Sequence, residues 1–499
     1  MRIAHFCDSH AGRPDGVTRS AELTVRLLRA AGHEVDFRHP GPLLRPGDRV
    51  RSLPIPFRHV RVGLPFRPGP ADLVHVHTTG PIGMTGFRLA ARARIPLVLT
   101  WHTDLLAYAD LFPEIPVGAA WCAVRLGLGW SPREFLELTR PGAVRHRRLV
   151  ALGNAMFSRA MVAIAPSAKT AAGLAVFHPS AEIHVLPTPI SPTDPVGQPG
   201  PTGYVGQPGP IEPTIPASQL EPTGPGGPSG PGRPGEPGGP SGPREPGRPG
   251  GPSGPDEPHA PLTAVGRLGL GRDVVLSVGR ATAEKNPELL LRAFALVRAV
   301  KPEARLILLG ARQQRGRLRH LIGRLGLTGH VDVLPPVPHA QVAAYYRAAD
   351  VLAFASTTDT QSLVLAEAEA AGLPVVVADP ALGTRPGESW ASAGRPADGS
   401  WTDGGAAHTP AVDGGWTGGG AAGRPALGGP VGGRRVGRYT CAPTPDAFAG
   451  ALLRMLDDGG LRATVSRGGL AAAAAYPPEV FVGRLLEIYE RARRNLNQT

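Results

Sequence analysis

The 499-residue sequence predicts an α/β protein made of two Rossmann-like, doubly wound domains facing each other across a cleft, interrupted by disordered Pro/Gly-rich insertions. Three observations predict it. Short, fully apolar runs alternate with helical patterns, as strands of a parallel sheet covered on both faces do. The alternation stops at a Pro/Gly-rich stretch and then restarts. Hydrophobic residues make up 41 % and charged residues 19 %, which suits sizeable cores.

The elements follow in order. "MRIAHFC" reads as a first strand, with a helix over 16–31 and a strand in "GHEVDFRH". "DLVHVHT" (72–78) leads to a helix near 83–94 and then to "IPLVLTWHT" (95–103). "AMVAIAPS" (160–167), the helix "AKTAAGLAV" and "EIHVLPTPI" complete the first block. The second block opens on "DVVLSVGR" (273–280) and the helix "NPELLLRAFALVRAV". It continues through "ARLILLG", a helix over 313–326, "VDVLPPV", a helix over 339–348 and "DVLAFAS". Two tandem units of this kind bind ligands at the carboxyl ends of their strands.

Two segments do not read as fold. Residues 191–262 contain a twelve-residue unit that recurs from 226, 238 and 250, beginning each time "GGPSGP". A triple helix needs glycine at every third position, and Arg233, Glu236, Glu245 and Arg248 break that register. The segment reads as a solvated linker. Residues 383–437, rich in Gly and Ala without periodicity, read as a long loop. The division is therefore 1–190 as first domain, 191–262 as linker, 263–382 as second domain, 383–437 as insertion, and 438–499 as the end of the second domain with its closing helices.

The three cysteines, Cys7, Cys122 and Cys441, are far apart and read as reduced thiols of a cytoplasmic protein rather than a disulfide frame or zinc site. Net charge is +13, carried almost wholly by arginine, since the lysines are Lys169, Lys285 and Lys301. That bias resembles coding preference more than selection for nucleic acid, while still permitting attraction to an anionic membrane or a phosphorylated substrate. No run of 18 apolar residues exists, so no spanning helix is expected.

The chemistry concentrates in "TTDTQSLVLAEAEAAGLPVVV" (357–377). Asp359, Thr360 and Gln361 form a turn ahead of a helix that starts near Ser362, whose unpaired N–H groups make a ready anion site. Asp359 alone would read as a helix cap. Glu367 and Glu369 lie about 200° apart on a helix, so only one faces the cleft and the other is expected in solvent. "SVGRATAEKN" places Arg280 and Lys285 at the carboxyl edge of the same sheet. Two cations, a helix terminus and two carboxylates suit a nucleotide-diphosphate sugar.

"GRATAEKN" with "DTQSLVLAEAEAAGLPVV" resembles the donor-site signature of retaining GT-B glycosyltransferases of family 4, glycosyltransferase group 1. The opening "MRIAHFCDSHAGRPDGVTRSAELTVRLLRAAGHEV", "DLVHVHTTGPIG" and "IPLVLTWHTD" are similar to the first domain of that family. The resemblance implies metal-independent transfer of a hexosyl group from a nucleotide-sugar donor, with no cofactor. It implies that Arg280 and Lys285 bind the diphosphate, Glu367 the ribose, and Asp359 the sugar hydroxyls. Backbone N–H groups at Gln361, Ser362 and Leu363 would meet sugar or phosphate, and Gly16 would let the first-domain loop approach. His102 would stand by the sugar, while His75 and His77 read as packing beneath the sheet. The chain departs from the pattern in having Asp for Glu at 359, Ser for Gly at 362, and the 383–437 insertion in place of a glycine-rich loop.

"TDTQ" is similar to members that glycosylate diacylglycerol-type lipids. Residues 114–150 mix apolar patches with Arg133, Arg140, Arg145, Arg147 and Arg148, either a membrane-surface face or an ordinary amphipathic helix pair. The acceptor is thus expected to be a lipid or glycan, with association at the cytoplasmic face of a membrane. A nucleotide-sugar epimerase or hydrolase on the same scaffold, a glycosyltransferase acting on small molecules or glycans, and a scaffold organised by the Pro/Gly repeat are the alternatives.

Overall fold

The computed structural model describes residues 1–9, 16–41, 49–54, 61–64, 66–177, 179–190, 273–311, 315–383, 434–435 and 437–498. The linker 191–262 and nearly all of the insertion 383–437 lie outside them. Eight strands form the first sheet: β1 (Arg2–Phe6), β2 (Glu34–Gly41), β3 (Arg49–Pro54), β4 (Arg61–Gly63), β5 (Leu73–Val76), β6 (Leu97–Thr100), β7 (Val162–Ala165) and β8 (Glu182–Val185). Their spatial order is β4-β3-β2-β1-β5-β6-β7-β8, parallel throughout except for the β3–β4 pair. The second sheet holds β9 (Val274–Val278), β10 (Arg305–Leu309), β11 (Val331–Leu334), β12 (Val351–Phe354), β13 (Val375–Val377), β14 (Arg434–Arg435) and β15 (Arg438–Thr440). Its order is β11-β10-β9-β12-β13-β15-β14, with only β14–β15 antiparallel.

These are the two doubly wound domains expected. Strands such as "LVHV", "LVLT", "VAIA" and "VLAF" are buried at every position because helices cover both sheet faces. β3, β4, β14 and β15 were not legible, since "RVRSLP" and "RYT" lack an apolar run. Arg434–Arg435 therefore correct the reading of 383–437 as loop to its end.

In each sheet the chain winds outward from one central strand and then crosses to its other side. The first crossing lies between β1 and β5, the second between β9 and β12. Such switch points open a crevice at the strands' carboxyl ends. In the first domain, part of that crevice is filled from within. Asp8, just after β1, accepts hydrogen bonds from the N–H groups of Ile82 (2.7 Å) and Gly83 (3.0 Å) and from the Thr78 hydroxyl (2.8 Å). A carboxylate thus occupies the N-terminus of the helix Pro81–Ala93. Burial raises the Asp8 carboxyl above its ordinary range against those hydrogen bonds.

The segment 438–499, read as closing the second domain, divides between both. Helix Pro445–Asp457 packs on the second sheet through Phe448, Leu452 and Met455. Helix Pro478–Gln498 crosses back to the first, where Phe481, Leu485, Ile488, Tyr489 and Ala492 form one stripe against Ile3, Leu28, Val98 and Ile164. Burying each large side chain of that stripe contributes about 1.5–3 kcal/mol, which ties the end of the chain to the first domain.

Candidate active site

The crevice of the second sheet faces the first domain across a cavity of about 400 Å³. Gly16, His102, Arg280, Lys285 and Asp359 line it, together with Gln361, Ser362, Leu363 and Glu367. All nine residues singled out from the sequence meet in one place.

The donor-side cations are placed by local backbone chemistry. After β9, Gly279 adopts φ +140°, a conformation open to glycine, and the chain turns toward the cleft. Arg280 follows and donates to Glu284 at 3.0 Å; Glu284 is buried and also accepts from the Thr282 hydroxyl at 2.6 Å. Lys285 ends the turn Ala283–Lys285, and Asn286 caps the helix Pro287–Val300 by accepting from Leu289 at 3.3 Å. The Lys285 ammonium lies 2.7 Å from both carboxylate oxygens of Asp359. Asp359 is thus an ion-pair partner, not the helix cap that its position alone suggests.

The helix Leu363–Ala370 begins at Ser362, which sits at φ +59° and makes no side-chain capping bond. That left-handed conformation costs an L-residue about 1 kcal/mol or more, which accounts for glycine at this place in the family pattern. The first N–H groups of the helix open on the cavity beside Lys285. Gly16 opens the helix Gly16–Ala30 directly opposite; a Cβ added to it would meet Leu363 at 4.0 Å.

Glu367 receives the Tyr346 hydroxyl at 2.9 Å and the guanidinium of Arg19 from the first domain. Arg19 also meets His339 at 2.8 Å. Glu369 corrects the expectation of a solvated acid. It is buried and paired with Arg438 of β15 at 2.5 and 3.2 Å, and Arg438 donates in turn to the Leu382 carbonyl at 2.7 Å. Helical geometry alone separates the two acids but cannot show that the far face is also covered, by a residue 69 positions away.

The first domain grips the 357–361 turn of the second. Lys169 donates to the carbonyls of Thr357 (2.6 Å) and Asp359 (3.1 Å) and to the Asp379 carboxylate (2.6 Å). Thr170 donates to the Thr360 carbonyl at 3.0 Å, and the Thr360 hydroxyl to the His102 carbonyl at 2.9 Å. The Gln361 amide bridges the backbone N–H (3.1 Å) and carbonyl (2.9 Å) of Thr188. Gln361 therefore spends its side chain on the domain contact. Arg19, Lys169, Glu284 and Tyr346 were not singled out beforehand; only the rarity of Lys169 among the basic residues marked any of them.

His102 stands at the first-domain wall, and its Nε2 lies 3.2 Å from Nδ1 of His77. Burial lowers its pKa to about 4, so the ring is neutral at physiological pH. His75 and His77 are buried beneath the sheet as expected, yet His77 also touches the ring that lines the cavity.

The profile described as Glycosyltransferase Family 4 matches residues 14–194, and the one described as Glycosyl transferases group 1 matches residues 264–386. With the fold, the two place the chain among the GT-B glycosyltransferases of family 4, group 1. Its curated relatives include D-inositol 3-phosphate glycosyltransferases. That of Thermomonospora curvata is 31 % identical over 249 residues, 47 % of this chain and 46 % of the relative. That of Segniliparus rotundus is 40 % identical over 123 residues, 23 % and 27 % of the two chains. The chain thus spans less than half the length of either relative. Among solved structures, sucrose-phosphate synthase from Thermosynechococcus elongatus shares the fold with a TM-score of 0.55 at 16 % identity, covering 98 % of both chains. Anabaena HepE in complex with UDP and glucose gives 0.53 at 15 % identity, covering 98 % of this chain and 99 % of its own.

Proposed function

We propose that this chain is a glycosyltransferase that moves a hexosyl group from a nucleotide-diphosphate sugar to an acceptor hydroxyl with retention of anomeric configuration. One observation carries the reading. Arg280, Lys285, the N-terminus of the helix Leu363–Ala370 and Glu367 converge on one cavity between the domains. HepE, a fold neighbour, is solved with UDP and with UDP-glucose, which supports a nucleotide-sugar donor here.

In this mechanism Glu367 takes the ribose hydroxyls in place of Arg19. The diphosphate lies against the helix N-terminus, Arg280 and Lys285. The bond from the anomeric carbon to the diphosphate oxygen breaks, and the nucleoside diphosphate leaves with the electron pair. The acceptor oxygen bonds to the anomeric carbon on the same face and passes its proton to an oxygen of the departing diphosphate. Arg280, oriented by Glu284, and Lys285 neutralise the charge that grows on the departing diphosphate. Asp359, one methylene shorter than the family's glutamate, is held by Lys285 within reach of the sugar. The closed domains exclude water and so favour transfer over hydrolysis. A thermal-shift screen of nucleotide sugars tests the donor: the true donor raises Tm and a free hexose does not. The absence of any stabilising nucleotide or nucleotide sugar would refute it.

A membrane-lipid acceptor is favoured by a surface on the first domain. Val117 (71 % exposed), Trp121 (37 %) and Val124 (64 %) fall on one face of the helix Glu114–Leu126, and Leu136 (61 %) stands exposed on the helix Pro132–Glu137. Arg125 lies over the Trp121 ring, 5.7 Å from its centroid. Arg145 and Arg148 are engaged by Asp110, Glu134 and Glu137. We expect salt-sensitive co-sedimentation with anionic liposomes, lost in the double variant Val117→Glu, Val124→Glu. If the variant sediments like the parent protein, this face does not dock on lipid and a soluble acceptor takes its place.

A further inference from the structure

Beneath the cavity wall lies a buried polar cluster that the transfer mechanism leaves unused. His5 of β1 and His75 of β5 are opposite one another in register, and His77 follows two residues later on the same face. The three are 0 %, 2 % and 3 % exposed. Their nitrogens lie within 4.8 Å of one another, a spacing that also suits a metal ion. The ring planes argue against one. His77 stacks on His5 at 24° and on His75 at 27°, with centroids 5.2 and 4.2 Å apart. Imidazole lone pairs lie in the ring plane, so nearly parallel stacked rings do not aim them at a common centre.

The nitrogens pair with one another instead, in a single line. Thr100 Oγ1 lies 2.6 Å from His75 Nε2, and His75 Nδ1 lies 2.7 Å from the Tyr489 hydroxyl. The Tyr489 hydroxyl lies 3.3 Å from His5 Nε2, and His5 Nδ1 lies 2.9 Å from His77 Nε2. His77 Nδ1 then meets His102 Nε2 at the cavity, 3.2 Å away. A neutral imidazole has one donor and one acceptor, and a phenol hydroxyl donates one proton. Fixing the direction of any one bond therefore fixes all five.

The Thr100 end fixes it. Among the described residues, the hydrogen-bond partner of its hydroxyl is His75. A buried hydroxyl proton without an acceptor is costly, so Thr100 donates. Every later bond then runs the same way: His75 to Tyr489, Tyr489 to His5, His5 to His77, and His77 to His102. The last step places a proton on His77 Nδ1 and leaves His102 Nε2 as an acceptor.

We propose that this line of five residues holds His102 as its Nδ1–H tautomer, so that His102 meets its ligand as a hydrogen-bond donor and not as a base, with His77 the positioning residue. What the ligand is rests on the donor reading given above; the tautomer does not. A donor suits the oxygen of a sugar hydroxyl or of the departing phosphate. Burial and the neighbouring rings hold the relay histidines neutral, as the scheme requires. Tyr489 comes from the helix Pro478–Gln498, so the line is complete only when the end of the chain is seated on the first sheet.

The test is two-bond ¹H–¹⁵N spectroscopy of the ligand-free full chain labelled at histidine, with His102 assigned by its loss in His102→Gln. The expected spectrum shows a protonated, pyrrole-type Nδ1 and an unprotonated Nε2 at His102. Tyr489→Phe keeps the ring and removes the hydroxyl link, and should turn that single tautomer into a mixture. Thr100→Val should do the same from the far end, while Thr100→Ser keeps the parent spectrum. A proton on Nε2 in the parent protein overturns the proposal, as does a His102 signal indifferent to both Tyr489→Phe and Thr100→Val. Because no nucleotide sugar is added, failure of the donor reading leaves this measurement intact.

Discussion

Replacing Lys285 by alanine should lower kcat for transfer by about 10²–10³-fold, the effect of deleting one preorganised charge at a developing anion. The same change should weaken the fold, and the reason is local. The Asp359 side chain is 10 % exposed and holds both its oxygens 2.7 Å from the Lys285 ammonium. Removing the cation leaves a carboxylate inside the cleft wall without its ion pair, at a cost of about 3–5 kcal/mol. Stability and catalysis therefore need separating. The double variant Lys285→Met, Asp359→Asn removes both charges together, and its urea midpoint should return most of the way to that of the parent. Its turnover should stay below that of Asp359→Asn alone, because nothing then answers the leaving diphosphate but Arg280 and the helix terminus. Recovery of turnover along with stability would show that Lys285 serves the fold alone. Steady-state kinetics with the donor found by thermal shift, beside chemical denaturation of the same preparations, reads both quantities.

The sequence displayed those parts of the molecule whose cause is local. Apolar runs such as "VVLSV" and "VLAF" are strands because both faces are covered, and their composition says so. Arg280 and Lys285 could be placed at a sheet edge because each follows a strand by a few residues. What could not be seen depends on partners distant in the chain. Arg19 reaches Glu367 across 348 positions, and Lys169 reaches Asp379 across 210. Glu369 looked like a surface acid until Arg438 was found behind it. The apolar run around the histidines of "HVHT" shows that they are buried but not what they pair with. Their role emerges only with His5 from the neighbouring strand and Tyr489 from the last helix, neither of which lies near them in sequence.

The same histidines should make the protein labile to mild acid. Burial, and after it the neighbouring imidazoles, hold His5, His75 and His77 well below the ordinary histidine value, with Arg29 adding to the effect at His5. His102 is lowered to about 4 by burial. Unfolded, all four titrate near 6.5. A group whose folded pKa is depressed contributes stability above its unfolded pKa and loses it as pH falls toward the folded value. Stability is therefore fully present above about pH 6.5 and declines below it, by about 1.4 kcal/mol per pH unit for each histidine that stays neutral when folded. The three fully buried rings alone give about 4 kcal/mol per unit, against a whole-domain stability of about 5–15 kcal/mol. Asp8 acts in the opposite sense, since its raised carboxyl favours the folded state as pH falls, but one carboxyl faces three imidazoles. Urea midpoints measured from pH 8 to pH 5 should be level in the upper half of that range and fall steeply in the lower, with the first domain lost near pH 5. His75→Phe removes one titrating ring and should make the decline shallower by about a third of the three-ring slope, even if it lowers the plateau. A decline of unchanged steepness in that variant would mean that carboxylates elsewhere, and not this buried line, govern the response to acid.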